Sequence, residues 1–216
     1  MKAEDVNEII EKDIIGGQVV ERLLYVDPIT KEIATRAEEY SFYKKQQRIA
    51  LYGCGVINPE NINAAIGYDG MQAMAKVLTT MTPQDVINEM LLSGLRGRGG
   101  GGFPTGKKWQ FAHDIKSDVK YVVCNGDEGD PGAFMDRAIL EDNPFSVLEG
   151  MMIAGYAIGA HDGYVYVRAE YPLAVEHLKT IIASANEIGL LGDNILNSGF
   201  NFQVHIRLGA GAFVCG

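Results

Sequence analysis

The chain has 216 residues, with 19 Lys+Arg against 28 Asp+Glu for a formal charge of -9, and 47% of its residues are hydrophobic, which suits a globular core and excludes an apolar-poor disordered segment. The acidic balance argues against a nucleic-acid partner, because such binding draws on Lys and Arg that displace condensed counterions. The longest weakly polar stretch, Met151 to Ala160, is broken by Gly155 and Gly159 and falls short of the ~20 apolar residues of a membrane span; Met1-Lys2-Ala3-Glu4-Asp5 lacks the features of a signal peptide, so a soluble cytoplasmic protein is expected.

Residues 1–95 read as a mainly helical lead-in with a hairpin. Val19 to Tyr25 is β-rich and runs into the turn signal Asp27-Pro28, which predicts a short strand pair. Asn58-Pro59 and Thr82-Pro83 both read as an N-cap followed by proline at the first helical position. Val86, Ile87, Met90 and Leu91 then recur at helical spacing, and Gly94 fits the helix stop.

Next comes a glycine run, Arg96 to Trp109, which holds much of the excess in the count of 26 glycines, about 12% of the chain against a usual ~7%. Glycines at this density let a backbone take positive φ, approach a ligand closely and cradle an anion. A flexible linker is the plain alternative. Gly101 to Lys107 fits GxxxxGK, but Lys108 stands where a P-loop needs a Ser or Thr, and a helix precedes it rather than a strand. Arg96 to Gly100 is like a single RNA-binding RGG copy, and Gly97, Gly99 and Gly102 meet the loose GxGxxG pattern.

From Val119 the signals alternate: a strand at Tyr121 to Cys124, a helix from Pro144 to Ile158, a strand from Tyr164 to Arg168, a helix from Pro172 to about Ile188, and a strand from Phe202 to Leu208. That order predicts an α/β fold, a Rossmann-like parallel sheet flanked by helices. Ligands of such sheets bind outside the carboxyl ends of the strands, here Asn125 to Asp130, Arg168 to Tyr171 and Gly209 to Gly216. The acidic Asn125 to Gly132 stretch does not fit an EF-hand; a solvated turn and a functional acidic loop both remain open. Cys54, Cys124 and Cys215 lie far apart and form neither a disulfide framework nor a metal-ligand set.

Three blocks, Gly94 to Trp109, Asn125 to Arg137, and Gly209-Ala210-Gly211-Ala212-Phe213-Val214-Cys215-Gly216, together resemble the flavoprotein subunit of respiratory complex I. The resemblance extends to its soluble relatives, the NAD-reducing or electron-bifurcating hydrogenases and the NAD-dependent formate dehydrogenases. Tyr43 to Arg48 and the Asn-Gly-Asp-Glu-Gly-Asp form of the acidic loop look closer to the hydrogenase branch.

The resemblance implies that 96–216 is an FMN/NADH-binding α/β domain, incomplete at its C-terminus. Gly97, Arg98, Gly99, Gly100 and Gly102 would line the FMN, with Lys108 as a positive charge. Asn125, Asp127 and Glu128 would bind the flavin and its ribityl chain. Phe103 and Phe111 would stack on the NADH. Asp130 stands where complex I commonly carries a nucleotide-contacting Glu, and is one methylene shorter. Phe213 replaces a Tyr and loses its phenol hydrogen bond, and Gly216 ends the chain inside the motif.

A fragment is therefore expected, with a [4Fe-4S] cluster on the absent C-terminal part. The resemblance further implies NAD(H) oxidoreduction within a multi-subunit complex, alongside iron–sulfur electron-transfer subunits and a hydrogenase or dehydrogenase catalytic subunit. Hydride transfer between stacked rings needs no side-chain acid or base, so no catalytic side chain and no metal ligand is assigned. The alternative is a structural or assembly remnant without redox activity.

Overall fold

The alternating signals after Val119 become one parallel sheet in the computed structural model, which describes residues 2–211. Its strands are β1 (Tyr121–Gly126), β2 (Asp162–Arg168) and β3 (Gln203–Gly209), in the spatial order β1-β2-β3. The register pairs Gly126 with Val167 and Arg168 with Gly209, so the three carboxyl ends lie side by side. This is the α/β architecture expected from the sequence.

The chain divides into two compact units, Met1–Ile49 and Ala50–Gly216. The second carries the helices α1 (Ile62–Gly67), α2 (Gln72–Thr80), α3 (Pro83–Ser93), α4 (Thr105–Asp114), α5 (Met135–Asp142), α6 (Pro144–Ile158) and α7 (Pro172–Glu187). α6 is the hub, touching α2, α3, α4, α5, α7, β1 and β2. It is apolar on nearly every side, as a helix buried all round must be, with Phe145, Leu148, Met151, Met152 and Ile158 all buried. Val165 and Val167 on β2 and Leu178 and Ile181 on α7 complete the core beneath the sheet.

Local chemistry sets the helix ends. At α3 the Thr82 hydroxyl accepts from the Asp85 amide at 3.3 Å while Asp85 accepts from the Thr82 amide at 2.9 Å, a capping box followed by Pro83. At α6 the Asn143 side chain accepts from the Ser146 amide at 3.3 Å ahead of Pro144, and it donates to the Tyr52 carbonyl at 2.9 Å.

Two sequence expectations need correction. Asn58 does not cap a helix: its side chain accepts from the Glu60 amide at 3.0 Å in an Asx turn, and α1 begins only at Ile62. Asn61 is the cap because its carbonyl reaches two open amides, Asn63 at 3.0 Å and Ala64 at 3.2 Å. The strand pair around Val19 to Tyr25 is also reduced, with Glu21–Leu23 a 3-10 turn and Val26 and Ile33 forming a single antiparallel bridge. Asp27 drives the turn by accepting from the Ile29 and Thr30 amides, but Val26 and Ile33 stay half-exposed, and an isolated two-stranded pairing has no apolar face to support it.

In the first unit, the segments Ala3–Asp5, Val6–Glu8 and Ile9–Ile15 are helical, and Arg22 pairs with Asp5 at 2.8 Å. The buried Tyr40 donates its hydroxyl to the Tyr25 carbonyl at 2.6 Å. Among the described residues no helix is long and apolar enough to cross a membrane.

Candidate functional site

Between α3 and α4 the glycine run leaves and returns as a lobe closed at its neck. Arg96 and Pro104 form an antiparallel bridge, the Gly97 amide donates to the Phe103 carbonyl at 2.9 Å, and the Thr105 amide donates to the Leu95 carbonyl at 2.9 Å. The Arg96 guanidinium adds a bond to the Gly102 carbonyl at 3.2 Å. Such anchoring is not that of a free spacer. Gly100 and Gly102 take φ of 97° and 59°, left-handed values that a side chain would strain. A Cβ added at Gly99, Gly100, Gly101 or Gly102 would meet nothing within 4 Å, so the backbone faces open space that a ligand can approach. α3, rather than a strand, leads into the lobe, against the P-loop reading.

α4 presents the next group. Lys108 and Phe111 are three residues apart and share a helix face. Phe103, just before the helix, brings its ring to 6.4 Å from that of Phe111 at an interplanar angle of 49°. Both rings stay open to solvent, at 46% and 60% exposure, where most aromatic pairs would be buried. Arg98 and Lys108 are exposed, and neither forms a salt bridge with a described carboxylate. In a chain with an acidic excess, two cations without carboxylate partners beside an open glycine lobe suit an anionic ligand.

The acidic loop follows β1 directly. The Asp127 amide donates to the Asn125 side chain at 3.0 Å. The Asp127 carboxylate lies 2.8 Å from where a Cβ on Gly209 would stand, so it reaches across the end of β2 to that of β3. Glu128 turns toward the start of α5, where its two oxygens accept from the Asp136 and Arg137 amides, each at 3.2 Å. A carboxylate there satisfies amides the helix leaves open and faces the positive end of its dipole. The Tyr171 hydroxyl donates to Glu128 Oε2 at 3.2 Å, and Arg168 donates from Nη1 to the Glu128 backbone carbonyl and from Nη2 to Glu170 at 3.1 Å. Tyr171 is buried, with the guanidiniums of Arg137 and Arg168 at 5.4 and 5.5 Å from its ring.

Burial and this charge set the local titration. Burial first, then the Glu128 charge, raises the Asp136 carboxyl pKa, and the same two causes raise that of the Tyr171 phenol. The Cys124 thiol, on the packed side of β1, is pushed up to about 11 by burial and then by Asp136.

Of the residues singled out in the sequence, Gly97, Arg98, Gly99, Gly100, Gly102 and Phe103 lie in the lobe, and Lys108 and Phe111 on α4. Asn125 ends β1 with Gly126, and Asp127, Glu128 and the exposed Asp130 form the loop beyond. Phe213 and Gly216 lie outside the described residues. Phe103 meets Phe111, and Asn125 meets Asp127. Sequence reasoning missed Arg168 and Tyr171 as individuals. Their signal was position, at the carboxyl end of the strand paired with β1. Among the described residues no three His, Cys, Asp or Glu side chains gather as a metal site.

A family model described as the Nuo51 FMN-binding domain matches residues 90–216. The chain is 60% identical over 173 residues to the NADP-reducing hydrogenase subunit HndC of Solidesulfovibrio fructosivorans, covering 80% of this chain and 35% of that protein. It is 50% identical over 147 residues to an NADH-quinone oxidoreductase subunit of Rhizobium meliloti, covering 68% and 35%. Against the NAD-reducing hydrogenase HoxS subunit alpha of Cupriavidus necator it is 44% identical over 151 residues, covering 69% and 25%. A solved NAD+-reducing [NiFe]-hydrogenase in the H2-reduced state aligns with a TM-score of 0.61 at 27% identity, over 100% of this chain and 32% of that one. The chain thus spans about a third of the length of the relatives it matches.

Proposed function

The chain belongs to the Nuo51 FMN-binding domain family, and from that premise we propose that it is part of an NAD(H)-oxidising or NAD-reducing flavoprotein subunit, with 96–216 as its FMN/NADH-binding domain. The observation that carries the reading is the closed glycine lobe, open to solvent on its backbone side and flanked by cations without carboxylate partners. A flat, anionic cofactor fits that chemistry. Gly97, Gly99, Gly100 and Gly102 offer backbone close to the ligand, and Arg98 and Lys108 supply charge opposite phosphate. Asn125, Asp127 and Glu128 hold the polar side of the site. Phe103 and Phe111 offer apolar faces for stacking the nicotinamide nucleotide, and Asp130 stands exposed to accept from it.

When bound, FMN supplies a carrier that takes two electrons as hydride and passes them on singly. The lobe and the Phe103 and Phe111 side chains would position the two rings; no side chain needs to move a proton for hydride transfer. Iron–sulfur clusters, including a [4Fe-4S] cluster outside this domain, would carry the electrons on to electron-transfer partners and a hydrogenase or dehydrogenase catalytic subunit in a cytoplasmic complex. The names of the relatives, subunits of NAD(P)-reducing hydrogenases and of an NADH-quinone oxidoreductase, support a redox assembly of several subunits.

Titration with FMN tests the reading. The full chain should quench FMN fluorescence on binding, and Lys108→Glu should weaken binding by at least tenfold, as expected when an attractive charge-assisted contact becomes repulsive. Equal affinity in the two proteins overturns the assignment of the lobe.

A further inference from the structure

We propose that Arg168 and Tyr171 are positioning residues for the acidic loop, acting through Glu128 to fix the loop edge that faces the flavin. The inference deepens the proposed function and rests on it for the identity of the ligand. Its structural part stands on contacts that need no ligand.

The loop from Asp127 to Phe134 has no regular structure, and Gly129, Pro131 and Gly132 give it little of its own. Its shape depends on what holds it from outside. Glu128 is a point of attachment whose backbone and side chain are held by different partners. The backbone carbonyl accepts from Arg168. The carboxylate accepts from the Asp136 and Arg137 amides of α5 and from the Tyr171 hydroxyl, each at 3.2 Å. Three donors take up most of the four acceptor sites of a carboxylate.

Arg168 and Tyr171 belong to β2 and to the residue before α7, so the clamp ties the loop after β1 to the end of the neighbouring strand. Both are well supported. Arg168 also pairs with Glu170, and the buried Tyr171 ring has the Arg137 and Arg168 guanidiniums at 5.4 and 5.5 Å. Asn125 and Asp127 adjoin Glu128 and share its anchorage through the bond from the Asp127 amide to the Asn125 side chain. A loop so fixed presents its polar groups without first having to be ordered, which favours binding.

The alternative is that Tyr171 and Arg168 serve core packing alone. Tyr171→Phe separates the two, since it keeps the ring and removes only the donor. Arg168→Lys keeps the charge but loses the planar fork that spans Glu128 and Glu170. Amide hydrogen exchange of Asp136 and Arg137, followed in the full chain without FMN, reads the clamp directly. Both variants should exchange at these amides at least fivefold faster than wild type, with amides of α3 unchanged. FMN titration of the same proteins should show affinity lowered about tenfold in Tyr171→Phe and at least tenfold in Arg168→Ala, with Arg168→Lys between Arg168→Ala and wild type.

Unchanged exchange in Tyr171→Phe overturns the clamp. Faster exchange with unchanged FMN affinity overturns its positioning role. A wild-type chain that binds no FMN, with exchange accelerated as described, sinks the proposed function and with it the flavin-facing part of this inference, while the clamp stands on the exchange result.

Discussion

Gly106 lies against the backbone of Leu91: a Cβ added to Gly106 would stand 2.6 Å from the Leu91 amide nitrogen and 2.9 Å from its Cα. The last glycine of the run therefore serves helix packing, bringing the first turn of α4 against α3, whereas Gly99 to Gly102 of the lobe face open space. Gly106→Ala must push two backbones apart, with a cost of about 1–3 kcal/mol, the usual range for overpacking. Gly101→Ala, with nothing within 4 Å of its added methyl, should leave stability within about 0.5 kcal/mol of wild type and still weaken FMN binding. Chemical denaturation of the two variants, with FMN titration of the second, separates packing glycines from binding ones.

The Phe103 and Phe111 rings are exposed, so their removal should affect the nucleotide more than the fold. Phe103→Ala and Phe111→Ala should each weaken NADH binding to the FMN-loaded chain by about two- to twelvefold, the equivalent of 0.5–1.5 kcal/mol of aromatic contact. Because the rings already meet at 6.4 Å, the double variant should lose less than the two single losses combined. Strictly additive losses would place the two rings at independent contacts.

Cys124 provides a test of the electrostatics beneath the acidic loop. With its thiol pushed up to about 11, the folded protein at pH 8 holds only about one in a thousand of these groups as thiolate, so alkylation by iodoacetamide should be slow until denaturant is added. The folded state keeps a proton that the unfolded state releases, so this group's contribution to stability falls as the pH rises from 9.0 to about 11. Cys124→Ala should reduce the slope of stability against pH across that window. Mass-spectrometric mapping of alkylation and denaturation curves at several pH values check the two outcomes.

The Phe202 ring fills the space over Gly155 and Gly163, where any added Cβ would collide with it. It is fully buried beside Met151 and Met152 of α6. Phe202→Ala should cost about 3–5 kcal/mol, as truncation of a buried aromatic does. Thermal unfolding should show a large fall in midpoint, and a change under 1 kcal/mol would mean that the core collapses to fill the void.

Local signals were a good guide at α3, α6 and α7, but not at Asn58-Pro59, where the same cap-and-proline pattern makes an Asx turn and Asn61 caps the helix instead. Thr82-Pro83 and Gly94 bracket α3 because each acts within one helical turn, and Pro144 and Pro172 mark helix starts for the same reason. The alternation of β2 and the helical stretches between strands led to a parallel sheet with its polar loops at the carboxyl ends. What stayed hidden depended on contacts distant in sequence. α5 is short and polar, and Glu128 caps it from outside its own first turn. Gly106 looked like one more ligand-facing glycine because Leu91 is its neighbour only after α3 and α4 pack. Arg168 and Tyr171 acquire their partner only when β1 and β2 lie side by side, some forty residues apart in the chain.

The neck of the glycine lobe bears on the entropy of binding. Fixing the backbone of one residue costs roughly 1–2 kcal/mol, and glycine has the most freedom to lose. Folding itself closes the excursion between Leu95 and Thr105, through the bridge of Arg96 with Pro104 and the bonds from Gly97 and Thr105. A ligand arriving at the lobe meets a backbone already tied at both ends, with only Arg98 to Gly101 outside the bonded neck. The chain can thus carry a glycine-rich cradle pliable enough to fit a bulky cofactor without losing most of the affinity to the disorder such a sequence would have if it were free.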